Sequence, residues 1–119
     1  MKDFRELLVW QKGHALTLAI YKGTTIFPKH ELYGLTSQVR RAAASIPANI
    51  AEGCGRGGDG DLGRSLQIAM GSASELEYHL LLAHDLEYLP PHDYQRFSQQ
   101  TIEIKRMLSA FILKIRADR

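Results

Sequence analysis

The sequence predicts an all-α protein: an antiparallel, up-down-up-down four-helix bundle, with a single domain across residues 1–119. Three observations carry this expectation. Apolar residues recur at helical spacing in four long runs. Stretches holding proline or several glycines (Phe27-Pro28, Gly53 to Gly63, Pro90-Pro91) separate those runs. No β-branched, alternating run competes with them.

Residues 6–26 read as the first helix, with Val9, Leu16, Ala19 and Ile20 near one face and Trp10, His14 and Tyr21 beside them. Gly13 and Gly23 weaken it, since glycine costs about 1 kcal/mol against alanine in a helix interior. Phe27-Pro28 stops it, because the residue before proline is pushed out of helical geometry. The second helix is expected from about Lys29 or Glu31 to Glu52, on the repeat Leu32, Leu35, Val39, Ala42, Ile46. Pro47 is its anomaly. It deletes one backbone donor and crowds the carbonyl of Ala43, so a kink is expected there. Asn49 is placed to reach a freed carbonyl or a neighbouring helix.

Gly53 through Gly63 read as a loop, with Asp59 or Asp61 capping the third helix. That helix carries Leu62, Leu66, Ala69, Ala73, Leu76 and Leu80 and runs to about Tyr88 or Leu89, where Pro90-Pro91 ends it. The fourth starts near Asp93. Its stripe Phe97, Thr101, Ile104, Leu108, Phe111, Ile115 keeps the four-three spacing of a coiled-coil seam.

Composition narrows the function classes. Of the residues, 45% are apolar and 24% charged, an ordinary balance for a globular protein. No uncharged run approaches the ~18–20 residues that span a bilayer, and the opening Met1 to Glu6 mixes charges at once. The single cysteine, Cys54, has no partner for an internal disulfide or a zinc cluster. A cytoplasmic protein with no membrane role is expected. The net charge of +2 hides segregation: residues 1–58 hold eight Lys/Arg against four Asp/Glu, residues 59–93 one against seven, and residues 94–119 six against two. Such segregation can leave a basic surface on a nearly neutral protein, or pair oppositely charged helices.

A second set of apolar positions lies opposite the core stripes. On a helical wheel these are Ala44, Ala48 and Ala51 on the second helix, Tyr78 and Leu82 on the third with Ile68 and Leu86 on its flank, and Ile102 and Leu113 on the fourth. Helices with two apolar sides bury both. A homo-oligomer built on these backs is expected.

Catalytic and cofactor signals are sparse. Gly53-Cys54-Gly55-Arg56-Gly57-Gly58 matches G-x-G-x-x-G, but a helix precedes it where a dinucleotide site needs a strand. Asp59-Gly60-Asp61 begins like a calcium loop, yet Met70 stands where a bidentate glutamate is required. Glu75 and His79 stand four apart on the third helix and could together bind a metal, though two such residues alone more often make a surface hydrogen bond or an inter-subunit contact; His84 reads as a satisfied core histidine, and Ser45, Ser72 and Ser74 read as packing positions. No nucleophile, base and oxyanion hole assemble, and the reading is non-enzymatic, with no cofactor and no metal. The basic residues Arg40, Arg41, Arg56, Arg64, Lys105 and Arg106, with Lys114 and Arg116, lie off the core stripes. They are the candidates for contacting RNA or DNA through phosphates, without base readout.

Four stretches carry a resemblance: Leu8 to Lys12; Tyr33 to Ala43; Ser45-Ile46-Pro47-Ala48-Asn49-Ile50-Ala51-Glu52-Gly53 with Gly55-Arg56-Gly57; and Ala69 to Glu77 with Tyr88-Leu89. Together they resemble the four-helix bundle proteins encoded in 23S ribosomal RNA intervening sequences, the S23 group. The chain is also similar to the accessory variability determinant of diversity-generating retroelements. The resemblance implies a bundle that assembles into a five-membered ring and a basic surface that meets nucleic acid. It makes Arg40, Arg41 and Arg56 the leading nucleic-acid candidates. It makes Pro47, Asn49, Glu52 and Gly53 a family motif of structural or undefined role. Gly58, Asp59, Gly60 and Asp61 depart from the family pattern and make the loop less basic. A protein-interaction scaffold whose charges meet a partner protein is the alternative.

Overall fold

The computed structural model describes residues 3–118; Met1, Lys2 and Arg119 lie outside them, and Lys2 and Arg119 enter the charge counts above. The described residues form four helices and no strand: α1 (Leu8–Gly23), α2 (Leu35–Arg56), α3 (Asp59–Asp85) and α4 (Pro91–Ala117). Short 3-10 turns at Phe4–Glu6, Thr24–Ile26 and Lys29–Glu31 lead into α1 and join α1 to α2. The helices pack into a bundle 46 Å long and 21 by 20 Å across, in which α2 and α4 each lie against α1 and α3.

The predicted stripes form the core. Leu16 and Ile20 of α1, Val39, Ile46 and Ile50 of α2, Leu66, Leu76 and Leu80 of α3, and Phe97, Ile104 and Leu108 of α4 are all sealed from solvent. Small residues fill the seams: Ala42, Ala43, Ala69, Ala73 and Ala83 are fully buried as well, which brings the backbones of α2 and α3 close. Cys54 lies in this core. Thr101 is buried without penalty because its hydroxyl donates to the Phe97 carbonyl at 2.7 Å. Two positions depart from the expected stripes. Leu32 is exposed outside α2, and Phe111 is half-buried while Ile112 takes the core position.

Several boundaries differ from the expected ones, each for a local reason. α1 ends at Gly23, and the chain leaves it through a 3-10 turn. The α2 helix begins at Leu35 because the Glu31 carboxylate accepts from the Leu35 backbone N–H at 3.0 Å, satisfying an otherwise orphan donor. The other oxygen of Glu31 accepts from the Tyr88 hydroxyl at 3.0 Å, tying this start to the α3–α4 turn. These bonds, first from Leu35 and then from Tyr88, hold the Glu31 carboxyl below its ordinary value. The same contact raises the Tyr88 hydroxyl above its own, because ionising it would remove the donated hydrogen.

The loop expected over Gly53 to Gly63 is only Gly57-Gly58. α2 continues through Gly53 and Gly55 to Arg56, and Gly57 ends it with φ +89°, a left-handed conformation that side chains resist. Gly53 is helical too, and α3 passes it so closely that a Cβ there would stand 2.7 Å from Ser65 Cβ. Neither Asp59 nor Asp61 caps α3; the cap position is Gly58, and Asp61 turns to Arg64. α3 ends at Asp85 in a Schellman motif, with Tyr88 N–H donating to the Ala83 carbonyl and Glu87 N–H to that of His84. Glu87 takes the left-handed position itself, φ 64°. Pro91 opens α4, where its missing N–H costs nothing.

Candidate functional surfaces

The motif around Pro47 resolves into a packing device. Pro47 removes the N–H that would serve the Ala43 carbonyl, yet α2 runs on unbroken from Leu35 to Arg56. The Thr17 hydroxyl of α1 lies 3.1 Å from that carbonyl and 2.8 Å from the carbonyl of Gly13, sharing its hydrogen between them. Gly13 makes room for this approach; a Cβ on it would already touch Ile46 and Pro47 at 3.4 and 3.6 Å. Asn49 does not serve the freed carbonyl. Its amide donates to the Ser45 carbonyl at 2.7 Å and to the Ser45 hydroxyl at 3.0 Å, and that hydroxyl meets Ser72 of α3 at 2.8 Å. Asn49, Ser45 and Ser72 thus staple α2 to α3, while Gly53 lets the two backbones close one turn further on. Glu52 faces solvent and pairs with Arg56 at 3.2 Å.

The six candidate cations are spread over three helices, α2, α3 and α4. Arg40 is half-buried and fastens α2 to the end of α1: its Nε donates to Thr24 Oγ1 at 2.8 Å, Nη2 to the Tyr21 carbonyl at 3.3 Å, and its guanidinium covers the Tyr21 ring at 5.0 Å. Arg56 pairs with Glu52, and Arg64 with Asp61 at 3.4 Å. Lys105 bridges α4 to α3 through Glu77 at 2.8 Å. Arg41 and Arg106 are exposed and, among the described residues, hold no ion pair. They sit on α2 and α4, which lie across the bundle from one another. Arg106 borders a shallow groove of about 420 Å³ between α3 and α4, with Met70, Glu77, Ile102, Lys105 and Ser109. Lys12 is also taken, by Glu103 at 3.0 Å.

The second apolar set divides into exposed and half-buried members. Tyr78 (57% exposed), Leu113 (62%) and Ile68 (50%) stand out from α3 and α4, with Leu86 and Ala48 exposed as well. Ala44, Ala51 and Ile102 are half-buried at helix seams, and Leu82 packs partly against the bundle's own core. Sequence spacing alone passes over Leu8, Leu18 and Leu81, which are exposed too.

The remaining chemistry is thin. Among the described residues no cluster of three His, Cys, Asp or Glu could hold a metal ion, and Glu75 and His79 make no hydrogen bond to each other. Among the described residues no helix is long and apolar enough to cross a membrane. The expectation of a satisfied His84 is corrected: its ring stacks on Tyr94 with centroids 4.3 Å apart, but its buried Nδ1 has no hydrogen-bond partner. The Tyr94 ring occupies one face and offers no acceptor or donor to the ring edge.

Comparison with known proteins agrees with this architecture. A solved structure from Bacteroides thetaiotaomicron, described as a protein of unknown function from the S23 ribosomal protein family, is 26% identical to this chain. The match covers 88% of this chain and 98% of that one, with a TM-score of 0.82. No curated protein matches the chain. Residues 5–110 match the family described as 23S rRNA-intervening sequence protein. With that span covering most of a 119-residue bundle, the chain belongs to the 23S rRNA-intervening sequence protein family.

Proposed function

We propose that this protein is a non-catalytic, homo-oligomeric building block of the cytoplasm. In this reading it is an up-down-up-down bundle, bent at Pro47, whose copies join side by side into a ring and bind RNA or DNA backbone through outward cations. The order of contacts supports the topology, since residues 13 and 17 of α1 meet 47 and 43 of α2, and residues 45 and 53 of α2 meet 72 and 65 of α3. The observation that carries the assembly is the exposure of Tyr78 and Leu113, large apolar side chains facing out from a bundle whose core is already complete. Ala48 is exposed on α2, across the bundle from Leu113 on α4. Apolar ground on opposite sides suits a head-to-tail contact, which closes into a ring when the rotation allows. Family resemblance favours five members.

Light scattering at micromolar concentration tests the assembly: a mass several times 13.4 kDa is expected, and a monomer mass refutes it. Salt-titrated filter binding with structured RNA and duplex DNA tests the second half. Affinity is expected to fall steeply with salt and to weaken in the Arg41→Ala/Arg106→Ala variant. A second reading, a scaffold for a partner protein, is favoured by the acids that already occupy Arg56, Arg64 and Lys105. It wins if the protein assembles but shows no salt-dependent affinity for either polymer.

A further inference from the structure

Contacts between neighbouring helices set the height along the bundle at which each outward residue stands. Lys105 of α4 meets Glu77 of α3 at 2.8 Å, and a Cβ on Gly63 of α3 would stand 3.9 Å from Ile115 of α4. The two helices therefore run in opposite directions, and Leu113 stands within a helical turn of Ile68. Ser45 of α2 meets Ser72 of α3, and Gly53 lies against Ser65, so Ala48 stands within a turn of Ile68 as well. By the same contacts Ile102 comes level with Tyr78, and Arg116 with Glu52. Height matters because copies related by rotation about an axis parallel to the bundle, with no slide along it, meet only at equal height.

The α2–α3 seam and the outer side of α4 also match in shape and charge. On the seam, Ala48 and Gly71 are small and exposed, with the exposed Ile68 beside them. A Cβ on Gly71 would meet nothing within 4 Å, so the ground there is a shallow notch. On α4 the large apolar Leu113 stands out into solvent. One turn on from Ala48 is Glu52, which gives one carboxylate oxygen to Arg56 and keeps its side chain 56% exposed. One turn on from Leu113 is Arg116, exposed and without an ion pair among the described residues. We propose that Leu113 of one copy seats in this notch, between Ala48 and Ile68 of the next. Ile102 then lies against Tyr78 of that copy, and Arg116 donates to the second carboxylate oxygen of its Glu52. This contact rests on the reading that copies join into a ring, and it names the faces that meet. Arg106 lies further from α3 round the α4 helix than Ile102 or Leu113, so it stays at the rim, open to a phosphate.

Disulfide trapping in the full chain tests the contact. The Ala48→Cys/Leu113→Cys variant changes two exposed positions and leaves the native Cys54 buried. Mild oxidation is expected to give a ladder of covalent multimers on a non-reducing gel. Either single variant is expected to give none, because in a head-to-tail contact each position meets the other and never itself. Reversing one charge, Glu52→Arg or Arg116→Glu, is expected to raise the concentration for half-assembly at least about tenfold, and combining the two to bring it back. Light scattering on the parent separates this contact from the assembly it rests on. A parent of monomer mass overturns both, whereas an assembled parent whose double cysteine variant stays uncrosslinked overturns the contact alone. So does a dimer band from either single cysteine variant, which would mean that like faces meet. A combined charge reversal that assembles no better than the single ones overturns the pairing of Arg116 with Glu52.

Discussion

At the scale of single residues, the chain solves the problem of a proline inside a packed helix by borrowing from its neighbour. Ala43 loses its donor to Pro47 and recovers one from Thr17. Thr17→Val keeps the shape and removes the hydroxyl, so denaturant unfolding is expected to show a loss of about 1–3 kcal/mol, with Thr17→Ser restoring most of it. Equal stability of the valine and serine variants would show that the carbonyl needs no partner. Glycines give a matched contrast. Gly53→Ala drives a Cβ to within 2.7 Å of Ser65 Cβ and is expected to cost about 1–3 kcal/mol. Gly55→Ala meets nothing within 4 Å and is expected to stabilise by up to about 1 kcal/mol. The two letters look alike in the sequence, because the difference lies wholly in what α3 brings alongside. Some contacts of the candidate cations are legible, since Glu52 precedes Arg56 by four and Asp61 precedes Arg64 by three. Arg40 on Thr24 and Lys105 on Glu77 cross between helices, and no local spacing announces them.

Among the elements, the interiors of the helices were legible and their ends were not. A periodic apolar stripe is repeated many times, so one misplaced residue such as Leu32 leaves the pattern intact. An end is decided by a single cap. The start of α2 depends on Glu31 reaching Leu35 and Tyr88, a contact across 57 residues of sequence. Because the folded Glu31 carboxyl lies below its ordinary value of 4.5, its contribution is fully present above pH 4.5 and is lost as pH falls through the lowered value. Tyr88 runs the other way: raised from 10.0, it contributes below pH 10 and loses that as pH climbs through the raised value. Glu31→Gln is therefore expected to flatten the acid limb of a stability–pH curve and leave the neutral plateau lower; an unchanged acid limb would refute the assignment. The end of α3 at Asp85, short of the expected Tyr88 or Leu89, is not legible because the usual glycine signal is missing, with Glu87 in its place. Glu87→Gly relieves the left-handed strain, and thermal or denaturant unfolding is expected to show a gain of about 1 kcal/mol.

For the whole molecule, the proposed assembly and the proposed nucleic-acid binding make a joint prediction that neither makes alone. With Arg56, Arg64 and Lys105 already paired and Arg40 held by α1, the candidate cations of one bundle without an ion pair among the described residues are Arg41 on α2 and Arg106, Lys114 and Arg116 on α4. Each neutralised phosphate steepens the dependence of log affinity on log salt by about 0.7–0.9. A lone bundle contacting through Arg41 or Arg106 would thus give a shallow slope and weak binding. Repetition around a ring multiplies both, because the later contacts form at high effective concentration. Leu113→Glu/Tyr78→Glu places charges on the exposed apolar ground and touches none of the basic residues. It is expected to yield a folded monomer by light scattering and circular dichroism. In the same samples, RNA affinity should fall more than the two new negative charges explain, with the salt slope collapsing toward that of one bundle. Arg106→Ala should instead leave the proposed ring intact and lower the slope by a fixed amount for each contacting subunit. A monomeric variant that keeps the full slope would separate the two properties and place the phosphate contacts on one bundle alone. An assembled variant would mean that the copies meet elsewhere, for which the exposed Leu8, Leu18 and Leu81 are the next surfaces to charge.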